Sequence, residues 1–461
     1  MIPKEHHLRL TKQHHERLRN HLFKGDGCES VALVLCGLRS GQDKAVYCVH
    51  EIFEVPDDTC SLRTPTAVRW RVEESMSCIA KAVSKGFAVL KIHTHPEGAQ
   101  EFSALDDRSD RELLGGISRM TDQPSTHLSA FMLPDGSIHA RVWHGGEHQG
   151  RVARVSVVGD DVQILGGGSV DITEAELKTR QAFGDATTML LKSLTVGVVG
   201  CSGTGSWVVE QLARLGVGRL VIVDPDRMER RNLNRIVNST LASAESSELK
   251  VEVARQAVEA MGFSTIVMAI PADLTDGSAI EALAECDFLF GCVDSADGRD
   301  ILNRIATFYL IPYIDVGVRL DADGQGGINQ ACAAVHYLVP GGSSLLSRGV
   351  VTSDQITSDA IRRHQPDHAA RLTEEGYIKG ANVHSPAVAS INGFIASHSV
   401  NEMLARLHPY RADENGTFRY QLFSLKEGAW LRPEDGPVCS VLLKKVGRGD
   451  ILPLLDNPAV K

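Results

Sequence analysis

The sequence lacks the features that would indicate a membrane, secreted or nucleic-acid-binding protein. It has no uninterrupted apolar run of about 18 residues, and its first residues do not form the apolar core of a secretory signal. It also has no block of basic residues, and its formal net charge is −10, which argues against nucleic acid or an anionic membrane as the main partner. We therefore expect a cytoplasmic protein that binds neither nucleic acid nor membrane.

The sequence also has no C-x-x-C pair, although it contains ten cysteines. Scattered cysteines in a chain of this kind are mostly buried apolar thiols. The 461 residues are too many for one core, and the composition is ordinary for a globular protein. We expect an α/β protein of two domains, 1–165 and 166–461, joined in the glycine-rich stretch at Gly166 to Ser169.

A histidine motif follows the predicted strand Phe87 to Ile92. Residues i and i+2 of a strand face the same way, so His93 and His95 project together from its end. Pro96 stops the strand, and Asp106 opens the next predicted helix. Two imidazoles and one carboxylate suit a catalytic zinc ion with an open fourth position.

The full pattern here is H-x-H-P-x6-S-x-x-D, and it resembles the metal motif of the JAB/MPN metalloprotease family over about residues 20 to 145. The resemblance implies one catalytic Zn²⁺ held by His93, His95 and Asp106. It also implies that Ser103 helps to hold the oxyanion of a tetrahedral intermediate. The implied substrate is a peptide or isopeptide bond that follows the C-terminal glycine of a ubiquitin-like protein.

The same family has a glutamate before its first apolar strand, which acts as a general base. Glu29, before the predicted strand Ser30 to Gly37, fits that position. Glu51 and Glu54 are the competing candidates. In each case the carboxylate would take a proton from the attacking water.

A second motif begins with the predicted strand Val196 to Val199, which runs into the loop Gly200-Cys201-Ser202-Gly203-Thr204-Gly205 and then a helix. Amides at a helix N-terminus favour a phosphate. Another predicted strand ends in Asp224, about 20 residues further on, where a ribose-binding carboxylate belongs. Alone, this pattern predicts a nucleotide site and is equally compatible with a dinucleotide dehydrogenase.

Further polar residues distinguish these possibilities, because a triphosphate must be clamped by cations and Mg²⁺ while its α-phosphate is attacked. From about residue 179 to 404 the chain resembles the ubiquitin-activating-type (ThiF-like) adenylyltransferases, a superfamily that includes activators of thiamine and molybdopterin biosynthesis. The motifs that carry the resemblance are the glycine loop, Arg180-Gln181, Asp224, Asp226, Asn232, Leu233, Arg235, Asp294, Asp297, Arg299 and Asn303.

The resemblance implies a role for each matching residue. Gly200, Gly203 and Gly205 would form the phosphate loop of an ATP site that also includes Asp226. Asp224 would bind the ribose, Asn232 a phosphate, Arg235 and Lys250 the β- and γ-phosphates, and Asp294 the Mg²⁺. In a homodimer, Arg180 would reach the γ-phosphate bound by the neighbouring protomer.

The chain departs from that family in three places. Ser202 replaces the second glycine of G-x-G-x-x-G. Ser344 and Ser347 stand where family members carry the first cysteine pair of a structural zinc site, so we expect no structural zinc. The crossover segment, about Arg348 to Ala381, contains no cysteine, so no thioester can form on it.

Three routes for the acyl group remain open. The reaction could stop at the acyl-adenylate, use a cysteine elsewhere, or pass the acyl group to a hydroxyl. Ser353, Thr352 and Ser358 are the candidate hydroxyls, with His364 or His368 as a base.

We interpret the sequence as a bifunctional enzyme that processes or deconjugates a ubiquitin-like protein and activates its C-terminal glycine with ATP. Such fusions fit bacterial ubiquitin-like conjugation systems, which often include a conjugating enzyme. One alternative is adenylation of a sulfur-carrier protein in a biosynthetic pathway. The other is a non-enzymatic scaffold that binds a ubiquitin-like protein. Beyond these sites, we expect a helix over Asn382 to Leu404 and terminal strands at Phe418 to Leu425 and Cys439 to Lys444.

Overall fold

The computed structural model describes residues 5–121, 125–166, 177–374 and 387–457. The chain forms two compact units. The first contains residues 1–167, 307–310 and 444–458, and the second contains residues 168–306, 311–443 and 459–461. Residues 167–176, at the predicted start of the second domain, lie outside the described residues.

The first unit is built on a mixed nine-stranded sheet in the order β11-β10-β1-β3-β2-β6-β7-β8-β9. Its elements are β1 Glu5–Thr11, α1 Lys12–Leu22, β2 Val31–Ser40, β3 Lys44–Glu54, β4 Cys60–Thr64, β5 Ala67–Trp70, α2 Met76–Lys85, β6 Ala88–Thr94, α3 Ala104–Ser118, β7 Thr126–Met132, β8 Ile138–His144, β9 Glu147–Arg151, β10 Arg154–Val158 and β11 Val162–Gly166. Strands β4 and β5 form a separate hairpin.

Both faces of the nine-stranded sheet are covered, which explains why its central strands read as continuous apolar runs. On one face, Leu18 and Leu22 of α1 pack with Leu90 and Ile92 of β6. On the other face, residues of α2 and α3 pack with Val89 of the same strand. Strand β6, which ends at the histidine motif, is therefore buried along its whole length.

The terminal segment of the first unit lies along β2. The amide of Gly37 donates to the Gly447 carbonyl at 3.1 Å, and the amide of Asp450 donates to the Leu38 carbonyl at 3.0 Å. Gly447 has a φ of 70°, and a Cβ there would overlap the Val49 carbonyl, so this close approach requires glycine.

The second unit is built on an eight-stranded sheet in the order β14-β13-β12-β15-β16-β17-β18-β19. Its elements are α4 Leu177–Ser193, β12 Thr195–Val199, α5 Gly203–Arg214, β13 Arg219–Val223, α6 Leu241–Glu245, α7 Lys250–Ala260, β14 Ile266–Ile270, α8 Gly277–Ala284, β15 Phe288–Gly291, α9 Ala296–Tyr309, β16 Tyr313–Ala322, β17 Ile328–Leu338, α10 Ser353–His364, α11 Pro366–Glu374, α12 Ala389–Leu407, β18 Tyr420–Ser424 and β19 Ala429–Leu431. No helix among the described residues is both long and apolar enough to cross a bilayer.

The neighbouring strands from β14 to β16 are parallel, and those from β16 to β19 are antiparallel. This parallel-rich sheet confirms the predicted α/β class with a Rossmann-like second part. Strand β12 lies between β13 and β15, so the strand order reverses at β12. Open α/β sheets bind ligands beside the carboxyl ends of strands at such a switch point. The glycine loop follows β12 directly.

The expected strand at Cys439 to Lys444 is wrong. Residues Leu443–Lys445 form a short 3-10 turn instead. Val441 and Leu443 are half-exposed, whereas Leu442 is buried, so the apolar residues of this segment do not form one buried face. The sheet ends at β19, and the segment pairs with no strand among the described residues. The helix expected over Asn382 to Leu404 is observed as α12 from Ala389 onward; Val388 is its N-cap, and residues 382–386 lie outside the described residues.

Candidate metal and nucleotide sites

The carboxyl end of β6 brings two imidazoles together. The Nε2 atoms of His93 and His95 are 3.1 Å apart, and both rings are buried. Glu29 precedes β2, whose Val31 pairs with His93. The ligand atoms of Glu29, His93 and His95 all lie within 4.8 Å of one another. The strand pairing thus places a third ligand-type side chain beside the H-x-H motif.

Asp106 joins this cluster from the first turn of α3. Ser103 is the N-cap of that helix, and its amide and hydroxyl donate to Asp106 Oδ2 at 2.8 and 2.7 Å. The other oxygen, Oδ1, lies 3.2 Å from His93 Nε2. The capping box therefore fixes one carboxylate oxygen and leaves the second facing the histidines. The helix begins at Ala104, two residues before the predicted start.

The donor set fits a zinc ion. His95 Nδ1 donates to the Ala99 carbonyl at 2.6 Å, which leaves the Nε2 lone pair directed at the cluster. Burial and the nearby Lys91 lower the pKa of His93 to about 3, so its imidazole is neutral, as a metal ligand must be. Two nitrogens bound to one tetrahedral zinc ion lie about 3.3 Å apart, close to the observed separation.

Glu29 is the only one of the three proposed base candidates that lies in this cluster. Burial, and then the charge of Asp106, raise the pKa of Glu29 to about 8. A carboxyl group with a pKa near neutrality suits proton transfer, and positive charge bound beside it would lower that pKa. Glu51 pairs with Lys81, and Glu54 pairs with Arg17 at 2.6 Å, both at exposed positions.

An aromatic stack beside the cluster was not predicted from the sequence. His95 stacks on Phe131 with ring centroids 4.2 Å apart, and His139 stacks on Phe131 at 5.0 Å. Phe131 lies opposite His93 in the pairing of β6 with β7. Because that pairing joins segments almost 40 residues apart, the local motif carries no signal for it.

The glycine loop of the second unit opens α5 with an N-terminus free of side-chain caps. Ser202 is the N-cap and makes no capping bond, so the first amides of α5 remain available to an anion. Gly200 has a φ of 87°, and a Cβ at Gly205 would overlap the Gly200 carbonyl. Ser202 has a φ of −99°, which any residue can adopt. Glycine is therefore required at 200 and 205 and not at 202.

Asp224 holds the loop through both carboxylate oxygens. Oδ2 accepts from the Cys201 amide at 2.6 Å, and Oδ1 accepts from the Asp226 amide at 2.8 Å. Burial raises the pKa of Asp224. In this structure the carboxylate joins the glycine loop to the turn after β13, and its contact with a ribose stays a prediction.

Each of the three residues predicted to bind the phosphates, two basic residues and one asparagine, has a hydrogen-bond or ion-pair partner within the protein. Lys250 begins α7, is buried, and contacts Asp226 at 2.6 Å. Arg235 donates to the Arg231 carbonyl at 2.8 Å, and its Cδ lies 3.2 Å from the position of a Cβ built on Gly203. Asn232 is buried and accepts from the Glu229 amide at 3.0 Å. Its predicted phosphate contact stays a prediction.

Two other predicted residues are exposed. Asp294 follows β15 and is exposed. Arg180 lies on α4, where it donates to Asp185 at 3.0 Å. Their roles at Mg²⁺ and at a neighbouring protomer stay predictions.

Sequence reasoning missed two residues that contact the predicted site. A Cβ on Gly203 would overlap the amide nitrogen of Asn392, a buried residue of α12. Arg363 of α10 holds Asp297 with bonds of 2.7 and 2.9 Å. Both come from segments far along the chain, and only the fold brings Asn392 to Gly203 and Arg363 to Asp297.

A hydrogen-bonded turn lies where members of the resembled family carry the first cysteine pair of a structural zinc site. Ser344 and Ser347 donate their backbone amides to each other's hydroxyls at 2.9 and 3.0 Å. Ser347 Oγ donates to the Pro437 carbonyl at 2.7 Å, and Arg348 pairs with Asp435 at 2.7 Å. These bonds connect the turn to segment 435–437.

The geometry defines a two-part α/β protein with a histidine–carboxylate cluster in one unit and an anion-binding loop at a sheet switch point in the other. Sequence comparison matches residues 175–438 to the ThiF family and residues 11–144 to prokaryotic homologs of the JAB domain. The ThiF match covers more than half of the chain, and the protein belongs to that family.

Individual relatives match parts of the second unit. The chain is 34% identical over 135 residues to the sulfur carrier protein adenylyltransferase of Thermus thermophilus, covering 29% of this chain and 49% of the relative. It is 32% identical over 144 residues to adenylyltransferase and sulfurtransferase UBA4 of Meyerozyma guilliermondii, covering 31% and 33%. It is 21% identical over 269 residues to ubiquitin-like modifier-activating enzyme 5 of Gallus gallus, covering 53% and 65%.

The chain thus spans less than two thirds of each of these curated relatives. Among solved structures, E. coli MccB with ATP is similar at 20% identity and a TM-score of 0.44, over 59% of this chain and 74% of that one.

Proposed function

We propose that the protein is a bifunctional enzyme. Its JAB-type part, residues 1–165, would hydrolyse a bond after the C-terminal glycine of a ubiquitin-like protein. Its ThiF-type part, residues 166–461, would adenylate that glycine with ATP and Mg²⁺, as a homodimer. The peptidase proposal rests on two buried imidazoles whose Nε2 atoms lie 3.1 Å apart, with Asp106 and Glu29 beside them. The activation proposal rests on family membership and on the uncapped glycine loop at the switch point.

In the peptidase half, His93, His95 and Asp106 would hold Zn²⁺. When bound, this ion supplies Lewis-acid polarisation of a carbonyl and of water. Glu29 takes a proton from the attacking water and returns it to the leaving amine. Ser103 donates its hydroxyl to Asp106 in this structure, so contact with an oxyanion requires that hydroxyl to change its acceptor.

In the activating half, the first amides of α5 would receive phosphate oxygens, and Lys250 and Arg235 would turn to the β- and γ-phosphates. Asp294 would hold Mg²⁺. The C-terminal carboxylate of the carrier attacks the α-phosphorus of ATP, the bond to the bridging oxygen breaks, and pyrophosphate leaves. Lys250 must exchange Asp226 for phosphate, which is feasible because Asp226 is about two-thirds exposed.

The alternative of a sulfur-carrier adenylyltransferase is supported by the Thermus thermophilus relative, whose name states that activity. Both functions use the same adenylation step, and they differ in the product. The acyl group would end on a macromolecule, beside a conjugating enzyme, in one case and as a thiocarboxylate in the other.

ATP–pyrophosphate exchange with candidate ubiquitin-like and sulfur-carrier proteins from the source genome tests the proposal. We expect exchange that depends on one carrier and on its terminal glycine. Mass analysis of the carrier then separates adenylate, ester, thiocarboxylate and conjugate. Absence of carrier-dependent exchange would contradict the activation half, and absence of zinc from the purified chain would contradict the peptidase half.

The crossover segment gives this experiment a specific variant. Thr352 Oγ accepts the Gln355 amide at 3.2 Å and caps α10, whereas Ser353 is the first residue of that helix. If the Ser353 hydroxyl receives the acyl group, Ser353→Ala removes a hydroxylamine-labile adduct, and Thr352→Ser retains it. An unchanged adduct in Ser353→Ala would exclude Ser353 as the acceptor.

A further inference from the structure

A buried cluster of charges lies one helical turn from the metal-binding carboxylate. Asp110 of α3 accepts from Lys91 Nζ at 2.6 Å and from Arg141 at 2.7 Å. The exposed side-chain fractions are 0% for Asp110, 3% for Lys91 and 7% for Arg141. We propose that Lys91, Asp110 and Arg141 are positioning residues that fix helix α3 on strand β6 and so hold Asp106 at the metal site. This inference rests on the metal site of the proposed function.

The spacing of the two elements makes this arrangement regular. Lys91 and His93 are two residues apart on β6, so they share a face and lie about 6.6 Å apart. Asp106 and Asp110 are four residues apart on α3, so they share a face and lie about 6 Å apart. Because the spacing on β6 nearly equals the spacing on α3, two polar contacts join the strand and the helix side by side. One is between His93 and Asp106, and the other is between Lys91 and Asp110.

Asp106 needs this external anchor because its own hydrogen bonds are local. Both donors to Oδ2 come from Ser103, the cap of the same helix, so they move with the helix. No hydrogen bond fixes the ring of His93 from its other side either, since its Nδ1 is buried without a hydrogen-bond partner among the described residues. The distance between His93 Nε2 and Asp106 Oδ1 therefore depends on how α3 is held against β6.

Arg141 connects the cluster to a third strand and to the residues before the helix. Its Nε donates to Ser129 Oγ at 3.0 Å, and it also pairs with Asp107. Its guanidinium lies 3.8 Å from the ring centroid of Phe102, which precedes Ser103. Lys91 in turn donates to Ser109 Oγ at 2.9 Å. The first two turns of α3 are thereby tied to β6, β7 and β8 by buried charged groups, which are costly to separate.

Zinc affinity of the full-length chain, measured by competition with a chromophoric chelator, tests the inference. We expect Asp110→Asn and Lys91→Met to bind zinc about 10 to 100 times more weakly than wild type, as loss of an outer-shell partner typically does. Lys91→Arg, which keeps the charge, should retain affinity close to wild type. Lys91→Met keeps the bond between Asp110 and Arg141, so it provides a second test if Asp110→Asn does not fold.

Leu90→Ala is the matched control, because Leu90 lies on the opposite face of β6, in the other core cluster. It should lower the melting temperature and leave zinc affinity unchanged. In the metal-free chain, amide hydrogen exchange of residues 104–110 should rise in Asp110→Asn and not in Leu90→Ala. The inference would be overturned if Asp110→Asn and Lys91→Met had a lower melting temperature but kept wild-type zinc affinity and wild-type protection of residues 104–110 from hydrogen exchange. A wild-type chain that binds no zinc, with exchange changed as expected, would instead contradict the peptidase proposal.

Discussion

The two candidate sites are organised in opposite ways. The proposed metal ligands His93, His95 and Asp106 come from the end of one strand and the helix after it, and His93 Nε2 lies 3.1 Å from His95 Nε2 and 3.2 Å from Asp106 Oδ1. The residues of the predicted nucleotide site come from loops and helices between Arg180 and Asn392, and Arg180, Lys250 and Arg235 are each bonded to other parts of the protein. The first site is preassembled, whereas the second must exchange internal partners for a ligand. The comparison indicates that a compact motif brings the proposed metal ligands close together, whereas the proposed phosphate clamp draws on segments spread along the second unit.

The largest effect is expected from removing one of the proposed metal ligands. His95→Ala should lower zinc affinity by more than about 100-fold, because a lost ligand weakens binding more than a lost outer-shell partner. Metal analysis of the purified chain measures this. His139→Ala is the matched control, since His139 stacks on the same Phe131 ring and is not one of the proposed ligands. Adenylation should be unchanged in both variants. Full zinc loading of His95→Ala would show that the cluster is not the metal site.

A second test removes one cation from the phosphate clamp. Lys250→Met should reduce carrier-dependent ATP–pyrophosphate exchange by about 100-fold, because a donor to the transition-state charge is lost. The freed partner, Asp226, is largely exposed, so the fold should tolerate the change. Arg230→Met is the control. Arg230 is exposed, and within the part of the chain that the structure describes its ion pair is with Glu245 at 2.6 Å. Exchange at the wild-type rate in Lys250→Met would remove Lys250 from the site.

A third test compares two glycines of the same loop. Gly205→Ala places a methyl group on the Gly200 carbonyl, which is backbone and cannot move aside, so we expect a loss of about 1–3 kcal/mol in stability and loss of ATP binding. Gly203→Ala meets the side chain of Asn392, which can rotate, so its effect should be smaller. Thermal melts with and without ATP separate the two. Equal effects would mean that the loop rearranges in solution.

The same contrast explains how much could be read from the sequence. The shared face of His93 and His95 follows from the strand period, because residues i and i+2 point the same way, whereas the place of Asp106 beside them follows from the resemblance to a family motif. The glycine loop and β12 were readable for the same local reason. Glu29 was readable only through a family pattern, since its position depends on the pairing of β2 with β6.

What could not be read depends on contacts between distant segments. Phe131, Asn392 and Arg363 reach their sites through strand pairing or helix packing, and no local spacing records these contacts. The segment Cys439 to Lys444 was misread because its apolar residues resemble a strand, while strand formation requires a neighbour with free backbone groups. Local pattern therefore predicted the elements and the compact motif, and failed where a residue's partner lies far along the chain.

The smallest predicted effect concerns the residue that departs from the glycine pattern. Ser202→Gly restores G-x-G-x-x-G, yet Ser202 has a φ of −99° and makes no capping bond, so neither strain nor a hydrogen bond changes. We expect a change in stability of only a few tenths of a kcal/mol and an unchanged Kd for ATP, because Ser and Gly are nearly equivalent at such an N-cap. Calorimetric titration of the full-length chain with ATP measures this. A clear gain in ATP affinity would show that the serine side chain obstructs the phosphates, and that the loop, unlike the metal cluster, is not preassembled even in its backbone.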